Sequence, residues 1–183
     1  MITIRELVQN IKKGQASVPV RHVLSELDKQ YIKIQPTLEI VSARIKGNGT
    51  EVHLKIPSSN KEKLFYDVVV FVDSTKEITS DTRIKCFSNS PSFAYNFTYV
   101  FSKLDSLLYP DKYPREFVTI PPKVRNPFGL YGFDKHVYYS IRKIIDYSLV
   151  HILSEFSKLP EQPIATFEEK KNELDTYKYG KWN

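Results

Sequence analysis

The sequence predicts an α+β fold, in which an antiparallel sheet of about five strands packs against one long C-terminal helix, with two short N-terminal helices. Three patterns support it: residues 37–102 alternate in the manner of strands, residues 134–158 carry a helical apolar stripe, and short amphipathic segments come first. The 183 residues suit a single domain over 1–159, followed by a polar and aromatic tail over 160–183.

The two N-terminal helices are predicted over residues 4–13 and 19–30. Thr3 and Glu6 have the spacing of a capping box at the start of the first helix. Pro19 suits the first turn of the second helix, where its missing N–H has no partner to lose.

A β-hairpin is predicted where two alternating segments, 37–46 and 52–56, flank the turn Gly47-Asn48-Gly49. The side chains predicted for the apolar side of the first strand are Val41, Ala43 and Ile45. Residues 64–72 are apolar on both faces apart from Asp67, which predicts a central strand. A short strand follows at 83–87.

Aromatic residues occupy every second position from 93 to 101: Phe93, Tyr95, Phe97, Tyr99 and Phe101. A period of two predicts a strand with one aromatic face, entered through a kink at Ser88–Pro91. The favoured interpretation packs this face under the 134–158 helix. A subunit interface through Tyr95 and Tyr99 is the functional alternative. Stacking on nucleic-acid bases is disfavoured, because the intervening residues are not basic.

Residues 109–133 hold five prolines and predict an ordered arm or binding loop, with a short strand at 117–120 as an alternative. Asp134 is a suitable N-cap for the long helix over 134–158, which Pro160 ends. A short helix is predicted at 166–174.

Composition argues against most enzyme and membrane classes. The net charge of +6 is not gathered into a basic stripe, and one cysteine with four histidines is too little for a closed zinc site. Phosphate-binding glycine loops and the nucleophile elbow are missing. No uncharged apolar run reaches the length of a membrane helix, and the N-terminus lacks a signal-peptide pattern. We therefore expect no enzymatic activity, no catalytic residue, no metal and no cofactor.

Two groups of charged residues were candidates for chemistry. Asp67 and Asp73 share a face of one predicted strand, so a carboxylate–metal hydrolase is an alternative, although a structural role is favoured. Glu51, His53 and Lys55 alternate along the hairpin and are predicted to form a solvated polar face.

The order of two helices and a hairpin is also typical of a winged helix-turn-helix. In that alternative the 19–30 helix enters the major groove and the 37–56 hairpin is the wing. The candidate nucleic-acid contacts are Arg21, His22, Lys29 and Lys46. Against it, Glu26 and Asp28 lie on the same helix.

The stretch Cys86 to Phe101, with Pro121 to Pro127 and Tyr131 to Lys135, resembles small structural proteins of tailed bacteriophages. The resemblance covers roughly residues 80–158. It implies a non-enzymatic virion component, such as a head-completion, neck or tail-joining protein, that acts in a multi-subunit ring or shell.

On this interpretation the protein is made in the host cytoplasm and joins the virion. Its partners are copies of itself and other virion proteins. The candidate interface residues are Tyr95, Tyr99, Pro121, Pro122, Arg125, Phe128, Tyr177, Tyr179 and Trp182.

Overall fold

The sheet is five-stranded and antiparallel, as predicted, in a computed structural model that describes residues 1–14, 20–58, 64–123, 126 and 134–179. Its strands are β1 Ile2–Thr3, β2 Glu39–Lys46, β3 Gly49–Pro57, β4 Phe65–Val72 and β5 Arg83–Ser88. They lie in the order β1-β5-β4-β3-β2, so β4 is central, which explains why it is apolar on both faces.

The helices of the described chain are α1 Ile4–Gly14, α2 Val20–Ile34, α3 Pro91–Asn96, α4 Thr98–Lys103, α5 Arg115–Thr119, α6 Lys135–Tyr147, α7 Leu149–Phe156 and α8 Phe167–Tyr179. The predicted capping box starts α1. The Thr3 N–H donates to Glu6 Oε2 at 2.8 Å, and the Glu6 N–H donates to Thr3 Oγ1 at 3.2 Å.

The two faces of the sheet differ in chemistry. Val68 and Val70 of β4 lie on an apolar face against α6, where the Tyr66 and His136 rings are 5.0 Å apart. The other face carries polar side chains, including His53 and Asp67. Because strand side chains alternate, one strand supplies both the core and a polar surface.

A β-bulge between Ile40 and Ser42 corrects the predicted apolar side of β2. The extra residue changes the alternation, so Ile40 rather than Val41 is buried on the apolar side with Ala43. Ile45 is on the same side as Ala43 but is 61% exposed near the end of the strand. Ser42, on the turn side of the bulge, lies directly opposite His53 of β3, on the polar face.

The predicted aromatic strand is wrong, because residues 91–103 form α3 and α4. Ser90 is the N-cap, its Oγ accepting a hydrogen bond from the Phe93 N–H, and Pro91 occupies the first helical position. Because every second position carries a ring, rings also recur at every fourth residue, which is the spacing of neighbours on one face of a helix. Phe93 and Phe101 therefore lie on one buried helical face, with their ring centroids 5.3 Å apart.

The long C-terminal helix is interrupted at Ser148, which has a φ of 62°. Its Oγ accepts from the His151 N–H, so α7 starts anew after α6. Asp134 caps α6 as predicted, through a bond from the His136 N–H.

Two predictions for the chain beyond residue 109 also change. The 117–120 segment, given as a short strand, lies mainly in α5. The 160–183 segment was predicted as a tail with a short helix at 166–174. The structure extends that helix to Tyr179, and Phe167 of this segment is fully buried in the core.

We predict that Ser90→Ala lowers the free energy of unfolding by about 1 kcal/mol, because it removes the cap of α3. Ser90 Oγ also accepts from Ser88 Oγ at 3.0 Å, so the change leaves a buried hydroxyl without that acceptor. Urea denaturation followed by circular dichroism measures the loss. Ser102→Ala on partly exposed α4 is the matched control, and equal stability of the two variants would contradict the capping role.

Candidate functional site

An apolar cleft of about 390 Å³ opens between α3–α4 and the chain that follows α5. Its apolar lining includes Tyr95, Tyr99, Phe117, Ile120, Pro121 and Pro122. Ile120 is 53% exposed, so the cleft presents a large aliphatic side chain to solvent. The cleft thus gathers aromatic and proline side chains at the surface.

The wall of the cleft rests on three packed rings. Tyr95 lies with its ring centroid 5.1 Å from that of Phe117 and 5.5 Å from that of Phe167. Phe117 and Phe167 are 5.4 Å apart. Because Phe167 is the first residue of α8, the cleft depends on the C-terminal helix being docked against α3.

Four of the predicted interface residues meet in this cleft: Tyr95, Tyr99, Pro121 and Pro122. The aromatic residues of 93–101 were predicted to pack under the 134–158 helix. Their described ring contacts outside this segment are instead with Tyr113, Phe117 and Phe167, which belong to neither α6 nor α7. Arg125, Phe128 and Trp182 lie outside the described residues. Tyr177 and Tyr179 belong to α8, but their side chains are outside the described set.

The candidate nucleic-acid residues do not converge on one surface. Lys29 of α2 pairs with Glu26, whereas Lys46 pairs with Glu51 on the polar face of the sheet. Arg21 is exposed at the start of α2, and the His22 side chain is outside the described set. The α2 helix packs instead on α6, where Asp28 accepts from Tyr138 Oη at 2.6 Å. This arrangement gives little support to a recognition helix and wing.

A buried polar network surrounds the carboxylate of Asp67, on the face of the sheet opposite α6. His53 Nε2 is 2.9 Å from Asp67 Oδ1, and Asp67 Oδ2 accepts from Asn89 Nδ2 and from the Ala165 N–H, each at 3.2 Å. Both His53 and Asp67 are about 5% exposed. His53 was predicted on a solvated face; the structure corrects this, because a buried carboxylate requires a partner.

A polar pocket of about 270 Å³ adjoins this network. Ser42, His53, Tyr109 and Lys112 line it, together with Arg44, Lys46 and Glu51. Tyr109 has a φ of 49°, a left-handed conformation that is costly for a large side chain. Burial and a hydrogen bond to Glu51 raise the pKa of the Tyr109 hydroxyl, so it stays protonated at neutral pH.

The segment after α7 crosses this polar face and is fastened to it by side chains. Arg44 donates to the carbonyls of Phe156 and Ser157, and Lys112 Nζ donates to that of Ile164 at 2.8 Å. We call residues 157–166 the strap. Together with Asp67 and Asn89, these cations position α8 beside the cleft.

Burial alone raises the pKa of Asp67, but the hydrogen bond and charge of His53 outweigh it. The Ala165 N–H and the nearby Lys55 act in the same direction, so the pKa lies below its ordinary value. Asp67 is therefore ionised at neutral pH and accepts from each of its partners.

The remaining chemical candidates are separate from this network. Asp73 is exposed beyond the end of β4 and does not converge with Asp67. Within the described ranges, no three His, Cys, Asp or Glu side chains cluster as metal ligands. His136 is buried beside Asp134, and exposed His151 pairs with Glu155.

Comparisons with known proteins give no family assignment: no family model, curated protein or solved structure matches the chain. None of the helices in the described segments combines the length and apolar character needed to cross a membrane.

We predict that Asp67→Ala lowers the free energy of unfolding at pH 7 by about 3 kcal/mol, because it strands His53 and the Ala165 N–H. The control is Asp73→Ala, at an exposed position, with an effect within about 0.5 kcal/mol. Urea denaturation measures both.

We also predict that the difference in stability between the wild type and Asp67→Ala depends on pH. Folding lowers the pKa of Asp67. The stability that the ionised carboxylate contributes is therefore fully present above the pKa of Asp67 in the unfolded chain, and it is lost as the pH falls through the pKa in the folded protein. The stability gap between the wild type and Asp67→Ala therefore narrows from pH 7 to about pH 3. A gap that stays constant over this range would contradict an ionised Asp67.

Proposed function

We propose that the chain is a virion assembly protein of a tailed bacteriophage, working in a multi-subunit ring or shell. The apolar cleft beside α3–α5 is the observation that carries this proposal. The resemblance over residues 80–158 supports the virion setting. The role rests on contacts between subunits and itself requires no catalytic step.

The lining of the cleft has the composition of a protein contact. Interface cores are enriched in aromatic side chains, and the residues that contribute most to binding lie in well-packed pockets. Tyr95, Tyr99 and Phe117 supply such rings, while Ile120 and the two prolines form an apolar rim.

The cleft wall is fixed before any partner arrives. Phe167 is 1% exposed and holds Tyr95 and Phe117 from behind, so little side-chain freedom remains to be lost there on binding. A preformed wall suits an assembly subunit that joins its neighbours repeatedly in one geometry.

A neighbouring copy of the chain is the proposed occupant. Closed homo-oligomers are the commonest soluble assemblies. A cleft that receives a different patch of the next copy makes a head-to-tail contact, and such contacts form a ring when the rotation between copies closes. Other virion proteins would then bind the completed ring.

We predict that Ile120→Glu lowers the oligomeric mass of the protein, because it places a charge in the apolar contact. Multi-angle light scattering after size exclusion measures the mass across a concentration series. The matched control is Ile32→Glu on α2, where the side chain is 70% exposed and distant in sequence from the cleft.

An oligomeric wild type that keeps its mass in Ile120→Glu would overturn the role of the cleft. A wild type that is monomeric at all concentrations would overturn self-assembly through it. An equal loss of mass in Ile32→Glu would show that the contact lies elsewhere.

A further inference from the structure

Three chemically complementary side chains lie in a row across three adjacent strands. Ser42 of β2 is directly opposite His53 of β3, and His53 is bonded to Asp67 of β4. All three lie on the polar face, and both Ser42 and His53 line the pocket of about 270 Å³. The hairpin register is responsible, because the pairs run without interruption from the Gly47–Gly49 turn to Ser42 and His53.

The bond to Asp67 sets the tautomer of the imidazole when the ring is neutral. An ionised carboxylate only accepts, so His53 donates its Nε2–H to Asp67 Oδ1. In the neutral ring this leaves Nδ1 as the basic nitrogen. Nδ1 is therefore the nitrogen left to take a proton from Ser42, the residue opposite His53 on β2.

The distance from Ser42 to this nitrogen is set by the register. Side chains directly opposite each other in an antiparallel pair have Cβ atoms about 5 Å apart. Within the described residues, no hydrogen bond joins Ser42 Oγ to the ring. Such contacts are often loose in unliganded sites and tighten when a substrate is bound.

The surroundings carry two further marks of a functional site. Strained backbone and β-bulges both concentrate at such sites, and here Tyr109 and the β2 bulge border one pocket. Lys112 supplies a cation, since its Nζ bond to the Ile164 carbonyl uses one of three protons.

The geometry points to a nucleophilic site, in which Ser42 attacks small carboxylic esters with His53 as the base and Asp67 as a positioning residue. Ser42 Oγ bonds to the ester carbonyl carbon while its proton passes to His53 Nδ1. The carbon–oxygen bond to the alcohol breaks, and the alcohol leaves with that proton. Water then attacks the acyl group with the same base, which releases the carboxylic acid and restores Ser42.

This site and the assembly cleft have different lining residues, and neither proposal requires the other. We expected no catalytic residue from the sequence, because no linear motif joins these three positions. They are 11 and 14 residues apart along the chain and come together only through strand pairing.

The test uses a fluorescent fluorophosphonate probe on the intact protein. Oγ displaces fluoride from phosphorus, which leaves a label that mass spectrometry assigns to a residue. We expect time-dependent labelling of Ser42 in the folded wild type, and at least about a tenfold slower rate in His53→Gln. Ser42→Ala loses the label, whereas Ser154→Ala, a control on α7, keeps it.

Two further measurements separate chemistry from folding. Added imidazole should partly restore labelling in His53→Ala, which a merely structural histidine would not show. Asp67→Asn should lower the maximal labelling rate without weakening probe binding, with melting temperatures confirming that each variant is folded. The inference fails if the folded wild type labels no faster than the denatured chain, if Ser42→Ala keeps the label, or if His53→Gln labels at the wild-type rate.

Discussion

The sheet and the strap are held together by the hydrogen bonds of the Asp67 carboxylate, and the rest of the structure depends on them. Asp67 lies on the central strand and is about 5% exposed, and an unpaired charge at such a buried position would be expensive. Four neighbours share that cost: His53 from the next strand, the Asn89 amide, the Ala165 N–H and the charge of Lys55. The network thereby joins β3, β4, the end of β5 and the strap.

The position of the strap in turn determines the shape of the surface. Ala165 is two residues from Phe167, and Phe167 holds the rings of Tyr95 and Phe117 that form the cleft wall. A polar contact inside the sheet is thus connected to an apolar surface through a short segment of chain. Asn89 contributes at both ends, since it bonds Asp67 and also donates to the Ala165 carbonyl at 3.1 Å.

Local signals in the sequence predicted four of the five strands, and the two-residue β1 was not among them. The glycine turn predicted the hairpin, and the doubly apolar run predicted the central β4. The aromatic segment was different, because rings at alternate positions satisfy both the strand period and an i, i+4 helical repeat. Ser90 and Pro91 decide between them, as an N-cap followed by a first-turn proline. Their cap spacing was visible in the sequence but was interpreted as a kink.

The candidate sites were predictable only in part. Tyr95, Tyr99, Pro121 and Pro122 were selected for their residue type, and the fold brings them together. The His53–Asp67 bond was missed because it depends on the pairing of β3 with β4. One signal was available: Asp67 is the single charge in an otherwise apolar strand, and a buried carboxylate implies a nearby partner. The pairing of Ser42 with His53 follows from the register of the predicted hairpin, whereas the bulge beyond Ser42 has no comparable mark.

Native-state hydrogen exchange at the Ala165 amide and the first turn of α8 tests most directly whether Asp67 fastens the strap. The account predicts that Asp67→Ala accelerates exchange there by about tenfold or more, beyond its effect on β2 and β3, because local opening no longer breaks the bond to the carboxylate. Exchange that rises uniformly over the whole chain, or not at all at Ala165, would contradict it.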